Sequence, residues 1–250
     1  MNNYMKSEWF RLKKKKLNYF ITGVLSIMVI ALASILEYFS ETEPDFPYGN
    51  TLYFYSNVFS MSNFVLLIVC FLAVYLLGKD RLIIPVSISL GVERKTIFLN
   101  KFIISFIHFI IVIFILGVVT YFSGQLILTD KTDAVTMNFI ISLFNLLPIL
   151  ISAFVLCYVT TFIFGNEIVA GVIVFVFYRG IALILFGAAS ISGSLAAIQK
   201  YIPATALNEI LRDFINGTVQ FNTIGCVVNI VLAILLLIIG LKVIEKKDFA

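Results

Sequence analysis

Charge is what this sequence is shortest of. Asp, Glu, Lys and Arg make up 13% of its 250 residues, about half the share in an ordinary soluble domain. So few polar groups cannot cover the apolar surface of one aqueous core, which argues against a soluble enzyme. Histidine occurs once, at His108. With no His-Glu-x-x-His pair and no Gly-x-Ser-x-Gly elbow, zinc-hydrolase and α/β-hydrolase chemistry are disfavoured. No Gly-x-x-x-x-Gly-Lys-Ser/Thr loop is present, so the chain has no phosphate cradle of that kind. Cysteine is equally sparse. Cys70, Cys157 and Cys226 each sit in an apolar run. Their odd number and lack of ligand spacing make them small buried hydrophobes. A cleavable leader is not expected, because residues 17–36 reach span length and no small-residue cleavage site follows.

What is abundant is apolar. Hydrophobic residues reach 61%, with 25 Phe and 11 Tyr, and the mean hydropathy is +1.05. Lipid is the expected solvent. A membrane helix needs about 20 apolar residues, and the charge-poor runs provide six candidates: about 17–36, 57–77, 102–128, 138–164, 168–198 and 223–241. The expected fold class is all-α, a polytopic membrane protein of six spans forming one transmembrane domain over 1–250. Lys and Arg set the orientation. Fourteen of the 18 fall in the N-terminus, the 79–101 loop and the C-terminus; three fall in the alternate loops, and Arg179 lies within a span. Both ends are therefore expected in the cytoplasm. The first outer loop agrees, carrying Glu37, Glu41, Glu43 and Asp45 without a basic residue.

Two cytoplasmic segments look purposeful. In residues 3–16, Met5, Trp9 and Leu12 repeat at i, i+4, i+7, among Lys6, Arg11 and Lys13 to Lys16. This pattern predicts an amphipathic helix on the leaflet, with Trp9 and Phe10 at headgroup level. An unstructured anchor is the bland alternative. Residues 82–95 are charged at the ends, with Lys79, Arg81, Arg94 and Lys95, and apolar in the middle, from Leu82 to Leu90. Pro85 suits a first helical turn and Gly91 a C-terminal cap. A short helix with exposed apolar residues needs a partner, either the protein's own helices or another subunit.

The run of Pro85, Ser89, Leu90, Gly91, Arg94, Lys95, Phe98 and Lys101, between the second and third expected spans, resembles the permease subunit of a type-2 ABC exporter. The resemblance covers the whole chain in architecture and this segment in motif, and it is to small bacterial permeases that export peptides or toxins. It implies a coupling helix that docks in a groove of a separate cytoplasmic ATPase. The coupling residues would be Pro85, Ser87, Ile88, Ser89, Leu90, Gly91, Arg94 and Lys95. It further implies two ATPase copies carrying ATP and Mg2+, no cofactor on this chain, and a homodimer or a heterodimer with a similar permease. Membrane lipid is the other partner, nucleic acid is not one, and the cell membrane is the expected location. The segment 199–222 would be re-entrant at the outer face. There Pro203 is expected to break the chain, and Thr205 or Asn208 to cap a short helix.

Within the spans, Arg179 stands out, about mid-membrane, where a bare guanidinium is costly. Its expected partners are Asn145, Tyr158, backbone carbonyls or a second subunit. With Tyr178, Phe175 and Asn145 it makes a candidate pathway; a packing arginine at a kink is the alternative. His108 is expected to be hydrogen-bonded between helices. Cargo is not written in the sequence, although the aromatic fifth run suits something hydrophobic or amphipathic. Other readings are a secondary transporter or channel, an intramembrane enzyme, and a non-transporting immunity or assembly protein.

Overall fold

A helix that is apolar on every side must be surrounded by others, and the run from Asp133 to Phe164 has that character. In the computed structural model, which describes residues 3–43, 45–75, 77, 83–181, 184 and 202–246, this run is one continuous helix at the centre of the bundle. In chain order the helices are α1 (Asn3–Lys14), α2 (Lys16–Thr42), α3 (Thr51–Ser60), α4 (Ser62–Tyr75), α5 (Ile83–Ser89), α6 (Arg94–Leu126), α7 (Asp133–Phe164), α8 (Glu167–Phe175), α9 (Pro203–Ile215) and α10 (Thr223–Lys246). A π-helical turn, Val176–Gly180, continues α8. No strand occurs among the described residues. α7 packs against α4, α6, α8, α9 and α10.

Among the described residues, four helices are long and apolar enough to cross a membrane: Tyr19–Thr42 within α2, then α6, α7 and α10. The pair α3–α4 would make a fifth if its 55° bend lies within one span. That pair replaces the single straight span expected over 57–77. The bend at Met61 follows three polar side chains that turn back on their own helix. The Ser56 hydroxyl donates to Tyr53 O, Asn57 Nδ2 also donates to Tyr53 O, and the Ser60 hydroxyl donates to Asn57 O. Such bonds compete with the helical ladder, and a new helix starts at Ser62. Of the expected span 168–198, α8 and the π turn are seen. Residues 182, 183 and 185–198 lie outside the described residues, as do Lys79, Arg81 and residues 199–201.

α2 runs past its expected end at Leu36. Nothing in the sequence stops a helix there, and Glu37 is buried instead of lying in an acidic loop. Its Oε2 accepts the Thr129 N–H at 3.1 Å. At the same end Thr51 N–H donates to Asp130 O, so the loops before α3 and α7 are tied together. α9 starts at Pro203 itself, because a proline at the first position has no N–H to lose. Neither Thr205 nor Asn208 caps it.

The core is largely aromatic. Phe98, Phe102 and Phe109 on α6 interleave with Phe162, Tyr158 and Phe154 on α7. Ring centroids are 5.1 Å apart for Phe98–Phe162, 5.3 Å for Phe102–Tyr158 and 4.6 Å for Phe109–Phe154. Spacings of four and seven on α6 and of four on α7 keep the rings on one face. Much of the phenylalanine that composition alone assigns to lipid contact is therefore internal.

Candidate docking helix and polar clusters

α5 is a two-faced helix of seven residues. Ile84 and Ser87 are buried and Ile88 packs half-buried on the core. Pro85, Val86, Ser89 and Leu90 point outward, with Val86 54% and Leu90 78% exposed. The helix is closed by a pair of backbone bonds around Gly91, whose φ is +85°. Gly91 N–H donates to Ile88 O and Val92 N–H to Ser87 O. This is the Schellman arrangement, and the left-handed backbone it needs is cheap only for glycine. The sequence left open whether the apolar centre meets its own helices or another subunit. The structure divides it: Ile84 and Ile88 face inward, Val86 and Leu90 outward.

The inner face of α5 rests on α1. Tyr4 lies beside Ser87 and Glu8, and burial together with the Glu8 carboxylate pushes its phenol above the usual range. Glu8 in turn accepts from Lys101 Nζ on α6 at 2.9 Å and from Arg11 at 3.1 Å. Glu8 and Lys101 are both buried. The apolar stripe of α1 packs at least partly on protein. Met5, Trp9 and Leu12 pack against Ile104 and Tyr75; this helix prefers protein because an ion pair and an apolar cluster sit side by side there. Phe10 alone of the two interfacial aromatics is well exposed. The basic run gains partners too, since Lys15 Nζ reaches Tyr75 O at 3.3 Å and lies 5.1 Å from its ring.

Arg94 and Lys95 sit at the start of α6, and both reach the end of α10. Arg94 donates to Glu245 O at 3.4 Å and Lys95 Nζ is 3.5 Å from Glu245 Oε1. Lys95 and Glu245 are each about half exposed, so this pair contributes at most about 1 kcal/mol.

Arg179 finds partners other than those expected. On the π turn, its NH1 donates to Asn208 Oδ1 on α9 at 3.0 Å, and its NH2 donates to the hydroxyl of Ser62, the first residue of α4. It thus joins the bend, the π turn and α9. Asn145 instead binds the loop before α10, donating to Gln220 O and accepting from Asn222 N–H. Tyr158 donates to Phe98 O. Tyr178 is fully buried and shares a 2.5 Å bond with the Ser152 hydroxyl, which donates to Asn229 Oδ1. Phe175 packs half-buried on the core. The candidate pathway residues therefore belong to three separate contacts. Arg179→Met is expected to lower stability by about 2 kcal/mol, since two bonds from a charged donor are lost. A detergent melting curve unchanged from wild type would show that the clasp holds nothing.

His108 is buried on α6, and its Nε2 has no hydrogen-bond partner among the described residues, contrary to the interhelical bond expected. Sequence reasoning missed Glu8, Ser62, Ser152 and Asn229. Glu8 did carry a signal, as the one acid in a basic helix. Asn229 also carried one, as a lone amide inside an apolar run. No protein-family model, curated protein or solved structure matches the chain.

Proposed function

We propose that the chain is the membrane-spanning permease subunit of an ATP-driven exporter. It would cross the membrane six times with both ends in the cytoplasm. Two copies, or this chain with a similar permease, would each dock a separate ATPase through α5 and move hydrophobic or amphipathic cargo such as a peptide outward. ATP and Mg2+ would be held by the ATPase.

The observation that carries this reading is the outward face of α5. A seven-residue helix, capped by Gly91 and with Ser87 buried beside Tyr4 of α1, leaves Val86 and Leu90 bare at the end of the bundle that holds Lys13, Lys14, Arg94 and Lys95. A floppy linker could not transmit movement. A helix with Ile84 and Ser87 buried against the bundle, beside an α1 that is ion-paired to α6 through Glu8 and Lys101, can.

The test uses two substitutions on the same helix. Leu90→Glu places a charge on the outward face, where it costs the free protein less than about 0.5 kcal/mol but would be buried unpaired in a docked complex. Recovery of the ATPase with the tagged chain is expected to fall at least tenfold, with an unchanged melting temperature. Ile88→Glu should instead lower the melting temperature, because Ile88 faces the core. Unchanged ATPase recovery with Leu90→Glu, or no ATPase among the proteins captured from the native membrane, would sink the exporter reading.

A further inference from the structure

The outward face of α1 carries charge of one sign only. Lys6, Ser7, Phe10, Lys13 and Lys14 are all exposed, and their spacing of i, i+1, i+4, i+7 and i+8 puts them on one side of the helix. The opposite side is taken up by protein: Glu8 holds Lys101 and Arg11, and Leu12 packs on Ile104. Glu8 is the only acid before Glu37. Among the described residues, no carboxylate pairs with Lys6, Lys13, Lys14 or Lys16. Two of these lysines lie near aromatic rings instead. Lys13 Nζ is 5.7 Å from the Trp9 ring centroid and Lys14 Nζ is 5.3 Å from that of Phe10. A ring attracts the ammonium but leaves its charge in place.

The position of α1 places this face beside lipid. Its contacts on α6 are Lys101 and Ile104. Those residues lie about 10–15 Å along α6 from its first residue, Arg94, at about 1.5 Å per residue. Only Lys15 separates α1 from α2, and α2 at once presents an apolar stripe. Leu17, Phe20, Val24 and Ile27 follow at i, i+3, i+7 and i+10, and all four are exposed. No charged residue occurs between Lys16 and Glu37. A hydrocarbon-facing stripe therefore begins directly beside Lys13, Lys14 and Lys16, with Phe10 61% exposed among them.

We propose that this corner binds anionic phospholipid of the phosphatidylglycerol class, with headgroups on the α1 lysines and acyl chains along the first turns of α2. Charge selects the headgroup. A zwitterionic lipid brings its own cation to the same lysines and gains less from them, whereas each lysine near an anionic surface adds to the attraction. The apolar stripe and Phe10 select a lipid over a soluble anion, which would leave them uncovered. The consequence reaches α5. α1 is ion-paired to α6 through Glu8 and stands beside Ser87, so lipid charge on its outer face holds the support of α5 in place. The site needs only that the chain lies in a membrane, and it is independent of whether α5 docks an ATPase.

Trp9 is the only tryptophan of the chain, so its fluorescence reports α1 alone. The test reconstitutes the whole chain in phosphatidylcholine vesicles that contain a little phosphatidylglycerol or phosphatidylcholine, spin-labelled near the headgroup end of an acyl chain. Labelled phosphatidylglycerol is expected to quench Trp9 with about threefold or higher preference over labelled phosphatidylcholine, and high salt should shrink that preference. Lys6→Gln with Lys13→Gln and Lys14→Gln should bring the two lipids to parity. Lys242→Gln with Lys246→Gln, both exposed at the end of α10, should leave the preference intact. Phe10→Ser should lower quenching by both lipids and keep their ratio. Equal quenching of the wild type by the two lipids overturns the proposal. A preference that survives the triple variant overturns it equally, because the anionic lipid would then be held elsewhere. Displacement of the labelled lipid by glycerol phosphate or by polyglutamate would give the face to a soluble anion or an acidic protein segment, and overturns it too. If the triple variant does not reconstitute, the salt dependence and these competitions on the wild type decide.

Discussion

Glu8→Gln is expected to destabilise the protein by about 3–5 kcal/mol, the cost of stripping a buried cation of its counter-charge. Lys101 is 2% exposed and its ammonium lies 2.9 Å from Glu8 Oε2. Gln keeps the shape of Glu but turns one acceptor oxygen into an NH2 donor and removes the charge that made burial tolerable. Lys101→Met should cost less, about 2 kcal/mol, because Arg11 stays 3.1 Å from Glu8 Oε1 and is itself partly in solvent. The double variant Glu8→Leu with Lys101→Met should recover most of the loss, since a packed apolar pair can match a buried ion pair. Melting curves of the four proteins in one detergent make the comparison. Equal costs for the two single variants would mean that Arg11 does not share the carboxylate. Two near-zero costs would mean that water reaches the pair.

Gly124→Leu should be as damaging for a different reason. A Cβ at Gly124 would lie 2.5 Å from Tyr55 Cζ and 2.6 Å from Cε1, well inside contact distance. The ring cannot withdraw. Tyr55 is fully buried and stacked on Phe139 with centroids 4.1 Å apart, and its hydroxyl donates to Tyr121 O at 3.1 Å. Forcing extra carbons into a packed core costs about 1–3 kcal/mol, and here the tyrosine's bond and stacking go with it. Gly124→Ala should already show much of the effect. Gly171→Ala is the control, because nothing lies within 4 Å of a Cβ there. It should be neutral or stabilising, as alanine favours a helix over glycine by up to about 1 kcal/mol. The readout is the melting temperature and the monodisperse fraction in detergent. Similar behaviour of Gly124→Ala and Gly171→Ala would contradict the packing described.

Local features of this fold are legible in the chain. The all-helical class follows from long apolar runs, and α7 and α10 lie close to where their charged flanks put them. Gly91 is readable because a left-handed residue leaves a local mark. The bend at Met61 was readable in principle from Ser56, Asn57 and Ser60, but uniform hydrophobicity over 57–77 outweighs three small polar residues. Partners are another matter. Arg179 announces that it must be satisfied, yet nothing in its neighbourhood points to Ser62, 117 positions earlier, or to Asn208 across the next segment. Glu8 looks like one more charge on a wetted helix until Lys101 is placed against it.

The burial of the long helices rises from α2 through α6 to α7 in their order of synthesis and falls again at α10. Only 11% of the apolar stretch of α2 is buried, against 61% for α7. α2 leaves the ribosome first and must wait in the bilayer until α6, its main partner, has been made more than 50 residues later. A first helix that faces lipid on nearly all sides tolerates that wait, because lipid tails solvate it as well as protein does. The helix that would be least content alone, with Ser142, Ser152, Thr160 and Thr161 buried along it, arrives when α2, α4 and α6 are already in place to receive it. Its Ser152 hydroxyl gains Tyr178 and Asn229 only when the π turn and α10 have followed.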